Sequence, residues 1–274
     1  MGKIVWLASY PKSGTTWLRA FLHNYLRRGD QPHDINRLSD FCESESDAAH
    51  YRPYDDRPAG QYSDAEVQRL RKLVHRDLTR AFPDLVFVKT HNAVLLVDGT
   101  PLLTPEVTAG SIYIVRDPRA VAVSYSHHLG LPLDETIDFM ADDGASTGAD
   151  DRHVFERLAS WSSHVLSWTQ APNPRLHVMR YEDMLADPAA SFGRVIRFLG
   201  REPPPERLAR AIRFSAFAEL QAQEQRSGFK ERPAGAGAFF RSGSAEAWRD
   251  VLNPAQQARI ERAHAAQMRR FGYL

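Results

Sequence analysis

Ile4-Val5-Trp6-Leu7-Ala8-Ser9-Tyr10-Pro11-Lys12-Ser13-Gly14-Thr15-Thr16-Trp17 lies near the start of the chain and settles how it must fold. An apolar run of strand type over residues 4–9 gives way to a short polar turn. Over residues 17–28, Leu18, Phe21, Leu22 and Tyr25 then recur at helical spacing. A strand entering a helix through a tight turn presents unpaired amides and the positive end of a helix dipole, which together favour an anion such as a phosphate. Gly14 lets the backbone approach closely, Ser13, Thr15 and Thr16 offer hydroxyls, and Lys12 adds a mobile point charge. The nucleoside triphosphatase loop needs Gly, four residues, then Gly-Lys-Ser/Thr. Here the lysine precedes the glycine, which disfavours ATP. The bland alternative is a polar turn without a ligand.

Downstream the alternation repeats. Ser63 or Asp64 can cap a helix reaching about residue 80, and further strands are predicted over 85–90, 111–115 and 176–180. Helices are predicted over 117–126, 154–169, 189–199, 204–214 and 254–271. The pattern predicts an α/β protein, a single domain over residues 1–274 with a central, mostly parallel sheet flanked by helices. Residues 29–63 and 221–247 show no clear period, and the acidic run over 134–151 reads as a solvated loop.

The 274 residues, 43% apolar, suffice for a sizeable core, and 35 basic against 34 acidic side chains leave a net charge of +1. No whole-molecule field draws in nucleic acid or an anionic membrane, so anion binding must come from local arrangement. With Cys42 alone, neither an internal disulfide nor a thiolate zinc cluster can form. The first apolar run stops at Ala8, too short for a signal peptide or a membrane span, and Trp6 stands where a myristoylation signal needs Ser or Thr. A cytoplasmic protein without stable membrane insertion is expected.

Lys89 and His91, two residues apart at the end of a strand, fall where open parallel sheets bind ligands. A histidine there can accept a proton while its lysine neighbour stabilises negative charge, although any one of eleven histidines is more often structural. Arg116 ends the next strand, with Ser124 two turns on; together they could hold a phosphate, or Arg116 could pair with Asp117 or Asp183.

Three segments, Tyr10 to Trp17, Val88-Lys89-Thr90-His91 and Ile114-Val115-Arg116-Asp117-Pro118-Arg119-Ala120-Val121-Ala122-Val123-Ser124-Tyr125, resemble the cytosolic-type sulfotransferases that use 3′-phosphoadenosine 5′-phosphosulfate (PAPS). Tyr181-Glu182-Asp183-Met184 and Phe239-Phe240-Arg241-Ser242-Gly243 extend the likeness. It implies a P-loop-like sulfotransferase fold and sulfuryl transfer to a hydroxyl of a small molecule, with adenosine 3′,5′-bisphosphate (PAP) as product and no metal. By the same resemblance, His91 is the general base and Lys12 and Lys89 stabilise transferring charge. Lys12, Ser13, Gly14, Thr15 and Thr16 hold the 5′-phosphosulfate, Trp17 packs on adenine, and Arg116 with Ser124 binds the 3′-phosphate. Tyr181, Ser215 and Phe217 contact the nucleotide, as does the late loop Arg241-Ser242-Gly243.

Two departures stand out. Ser242 occupies the place of a lysine in the family's late loop, implying weaker nucleotide affinity, and Arg249 to Ala258 replaces the family's dimer motif, so no dimer by that route is expected. A nucleotide-dependent kinase and an inactive nucleotide-binding module are the alternatives. Residues 29–63, 127–153 and 221–240 are expected to line the acceptor site, and Tyr51, Tyr54, Tyr62, Phe139, Phe229, Phe239 and Phe240 form either an aromatic wall or satellite core. Secondary metabolites, glycosides, phenols and lipid-linked sugars all fit as acceptors, with the acidic run favouring a cationic one.

Overall fold

A computed structural model describes residues 2–27, 29–233 and 237–274. Strand β1 (Lys3–Ser9) leads into helix α1 (Thr15–Leu26), followed by β2 (Cys42–Ser44), α2 (Asp64–Leu78) and β3 (Leu85–Thr90). A small hairpin, β4 (Leu96–Val97) and β5 (Thr100–Pro101), precedes β6 (Thr108–Val115), α3 (Pro118–Leu129), α4 (Leu133–Ala141) and α5 (Trp161–Thr169). The remainder is β7 (Leu176–Arg180), α6 (Tyr181–Ala186), α7 (Pro188–Phe198), α8 (Pro205–Phe214), α9 (Phe217–Ser227) and α10 (Pro254–Arg270).

The main sheet has strand order β2-β3-β1-β6-β7, and each neighbouring pair runs parallel. Alternate residues of β1 feed two cores, which is why its sequence is apolar throughout. Ile4, Trp6 and Ala8 join Tyr113 and Val115 under α2, α3 and α5, while Val5 and Leu7 join Ile112 and Ile114 under α1 and α7. Since β1 is central, with β3 on one side and β6 on the other, the carboxyl ends of these strands flank the place where the chain switches direction across the sheet. Ligand crevices form there.

Several predicted elements hold closely. The strands at 85–90 and 176–180 match β3 and β7, and Ser63 caps α2 through a reciprocal bond with Glu66. Five expectations are corrected. The helix expected over 154–169 begins only at Trp161, because Ala159 adopts a left-handed φ of 56° and Ser160 caps the helix that follows. The acidic run is not all loop: its first part is α4, which buries Ile137 and Met140. The unpatterned stretch over 29–63 supplies the edge strand β2, and the one over 221–247 starts inside α9. Helix α1 starts earlier than predicted and ends at Leu26; Arg28, its predicted end, lies outside the described residues.

Candidate active site

The turn after β1 curls tightly. Lys12 has a φ of 65° and Gly14 a φ of 112°, two left-handed positions on either side of Ser13. Such a φ strains a lysine and is what glycine tolerates. A Cβ on Gly14 would meet the Tyr181 ring at 2.7 Å. No side chain caps α1, and the amides of Thr15 and Thr16 find no backbone acceptor among the described residues. Ser9 Oγ and Thr15 Oγ1, 2.6 Å apart, tie the strand to the first helical turn.

Around this turn lies a cavity of about 980 Å³, lined by Lys12, Gly14, Thr15, Thr16 and Trp17 from the turn and first helix. Lys89 and His91 enter from β3, Arg116 and Ser124 from β6 and α3, and Tyr181 from the end of β7. Phe217 and Arg241-Ser242-Gly243 close the far side. Four neighbouring strand ends thus deliver the predicted residues to one crevice. Ser13 and Ser215 are different. The Ser13 side chain is buried beneath the turn with its hydroxyl unpartnered, and the Ser215 hydroxyl donates back to the Ala211 carbonyl at 2.9 Å, which closes α8. Neither side chain lines the cavity.

Arg116 makes neither of the ion pairs the sequence left open: Asp117 is taken by Arg119 and Asp183 by Arg180. Its guanidinium donates to the carbonyls of Lys12 (2.8 Å) and Ser244 (3.2 Å) and lies 4.2 Å from the centre of the Tyr181 ring. Its Nε is buried without a partner. A cation held by carbonyls and a π-face keeps its charge for an anion. Burial, with Arg116 and Lys89 nearby, pulls the Lys12 ammonium down to about 7. Lys12 Nζ rests 3.9 Å from the Phe239 ring centre and 3.4 Å from His128 Nδ1.

His91 is fixed at three points. Its amide donates to Glu156 Oε1 at 2.6 Å, its carbonyl accepts from His164 Nε2 at 3.0 Å, and its Nδ1 lies 2.8 Å from the Ser9 carbonyl. A carbonyl only accepts, so Nδ1 carries the proton and Nε2 keeps a lone pair. Burial, reinforced by Lys89, holds the imidazole well below its usual pKa and hence neutral at pH 7. Behind it, the buried Glu45 gathers Arg71, His75 and Thr90 and anchors the end of β3.

Sequence reading missed His128, Glu156 and Glu231. His128 stands four residues after Ser124 on α3, a same-face spacing that could have revealed it. The other two had no local signal. Glu231 reaches the cavity through a long-range pair with Arg19 at 2.7 Å. The expected aromatic wall divides. Phe229, Phe239 and Phe240 line the cavity, Tyr51, Tyr62 and Phe139 belong to the core, and Tyr54 binds Asp77 at the surface.

Residues 3–272 match the family described as the Sulfotransferase domain. The chain belongs to the sulfotransferase family. This sulfotransferase is 25% identical to bovine (Bos taurus) Sulfotransferase 1A1, covering 96% of this chain and 82% of the relative. It is 23% identical to flavonol 3-sulfotransferase of Flaveria bidentis, covering 94% and 79%. The fold is shared with a retinol dehydratase solved with retinol and PAP (TM-score 0.64, 23% identity, 97% of this chain and 81% of the other). It is also shared with a mouse sulfotransferase complexed with PAP (TM-score 0.62, 20% identity, 97% and 85%). No described helix of this sulfotransferase is long and apolar enough to cross a membrane, and no group of three or more potential metal ligands was found among the described residues.

Proposed function

We propose that this sulfotransferase works in the cytoplasm as one domain across residues 1–274. It transfers a sulfuryl group from PAPS, in line, to a hydroxyl of a small-molecule acceptor, with His91 as general base. The observation that carries this reading is the His91 ring, which is neutral, locked through Nδ1 and open at Nε2 on a cavity wall shared with two lysines.

The cradle fits an anionic nucleotide. Trp17 Nε1 and Arg116 Nε, on residues that line the cavity, are buried without partners, and Gly14 and Gly243 both sit where a Cβ would strike an aromatic ring. Lys12, Gly14, Thr15 and Thr16 would hold the 5′ end, with Ser13 contributing its backbone. Trp17 and Phe217 would pack on the adenine, Tyr181 would contact the nucleotide, and Arg116, Ser124 and Arg241-Ser242-Gly243 would hold the 3′-phosphate. When bound, PAPS supplies the sulfuryl group and its phosphate leaving group.

The chain's own residues do the rest. His91 Nε2 accepts the proton of the acceptor hydroxyl, and the Ser9 carbonyl keeps the ring aimed while it becomes an imidazolium. Anionic charge returns the Lys12 amine to its ammonium form, so that it and Lys89 stabilise negative charge as it builds. The test is transfer of radiolabelled sulfate from PAPS to a library of hydroxyl compounds. His91→Ala should lower transfer about 10²- to 10⁴-fold while PAP titration is unchanged. Retained turnover removes His91 from the mechanism, and magnesium-dependent ATP turnover would favour the kinase reading.

A further inference from the structure

Beyond the nucleotide cradle, one carboxylate in the cavity is only half accounted for. Glu156 is 5% exposed and lines the cavity beside His91. Its backbone is rigidly held, the amide donating to Thr147 Oγ1 at 2.8 Å and the carbonyl accepting from Thr147 N at 2.9 Å. Among the described residues its carboxylate makes one hydrogen bond, from the His91 amide to Oε1 at 2.6 Å. Oε2 has none. The buried guanidinium of Arg71 is engaged by Glu45 instead, at 3.2 Å. Burial and the nearby Glu45 raise the Glu156 carboxyl above the usual carboxylate range. A buried carboxylate with one donor is costly unless something else hydrogen-bonds it. The wall around it is hydrophilic, with Ser44, Ser46, Thr147, Asp150 and Arg152 facing the same cavity.

We infer that Glu156 is an acceptor-binding residue whose Oε2 takes an O–H from the acceptor, so that a neighbouring hydroxyl of the same molecule meets His91. This rests on the sulfuryl-transfer reading above and narrows it. The preferred acceptor carries adjacent hydroxyls, as saccharides and other polyols do. Oε2 opens on the cavity, so an acceptor with a lone hydroxyl at His91 would cover it without pairing it, and sites built to bind a hydroxyl reject analogues lacking it. The shared backbone explains the coupling: Glu156 grips the amide of the residue whose ring receives the proton, so one rigid unit sets both contacts.

The test uses the full chain, radiolabelled PAPS and acceptor pairs differing by the adjacent hydroxyl: catechol and phenol, cis-cyclohexane-1,2-diol and cyclohexanol, octyl β-glucoside and octanol. The wild type should prefer the first member of each pair in kcat/KM by about tenfold to a hundredfold. Glu156→Val should erase that preference while leaving PAP affinity, read by calorimetry, unchanged. Should this variant fail to fold, Glu156→Gln, which keeps an acceptor for the His91 amide, should still shrink the preference. A wild-type ratio near one, or a preference that survives both substitutions, overturns the proposal. Transfer to none of the six compounds overturns it as well. PAP titration then separates the cases: retained nucleotide binding with label transferred elsewhere spares the sulfuryl-transfer reading, whereas absent binding removes both.

Discussion

The two ends of the cavity are built differently. At the proposed nucleotide end most groups come from four neighbouring strand ends and one helix start, so backbone geometry places them: a left-handed turn at Lys12 and Gly14, Arg116 on main-chain carbonyls, Tyr181 against Gly14. At the proposed acceptor end the walls come from excursions that meet only in three dimensions. The backbone of residues 146–158 is bonded to residues 46–48 and 92–93, as in Val154 N to Ser46 O at 2.9 Å and Ala93 N to Arg157 O at 2.8 Å. A backbone-built end tolerates little change, whereas a wall of side chains on returning loops can vary without disturbing the cradle.

The largest break in that contrast should come from glycine substitutions. Gly14→Ala puts a Cβ 2.7 Å from the Tyr181 ring at a φ of 112°, whereas a Cβ on Gly148, in the acceptor wall, has nothing within 4 Å. We expect Gly14→Ala to lose about 1–3 kcal/mol of stability and most PAP affinity. Gly148→Ala should stay within about 0.5 kcal/mol. Denaturant titration and calorimetry would show it, and equal losses at the two sites would erase the distinction.

A middle-sized effect concerns pH. Without an anion the Lys12 ammonium titrates at about 7, and a bound phosphate raises that value. Above pH 7 the free site has lost a proton that the bound site keeps, so binding takes one up and affinity falls as pH rises. The fall should approach about tenfold per pH unit. Calorimetry in buffers of different ionisation enthalpy reads the proton directly, and net release above pH 7 would show that Lys12 does not face the anion.

The smallest effect belongs to the cavity rim. Ser242 is exposed there beside Arg241, so Ser242→Lys should tighten PAP binding by about two- to fivefold, with the gain fading as salt rises. No gain at low salt would place the late loop away from the 3′-phosphate.

Much of the fold was legible because strands β1, β3 and β6 carry continuous apolar runs, β7 keeps Leu176, Val178 and Met179, and caps such as Ser63 and Asn253 announce helices locally. Where reading failed, the cause was non-local. Residues 154–160 mix apolar Val154, Phe155, Leu158 and Ala159 with Glu156 and Arg157 in a helix-compatible pattern, yet Val154 and Leu158 are fully buried within a segment bonded to Ser46 and Ala145, and the left-handed Ala159 delays α5. Edge strand β2 is three residues long, too short to show a period, and exists through its pairing with β3.

The order of residues alone was enough for the tight strand-to-helix turn, the parallel sheet and the placement of Lys89, His91 and Arg116 at strand ends, because turn chemistry and apolar period act over a few neighbours. Three-dimensional packing was needed to choose the His91 tautomer, to withhold Arg116 from a carboxylate and to bring Glu156 beside His91. Those outcomes depend on burial and on partners 65 to 104 positions away in the chain, distances over which no local pattern carries information.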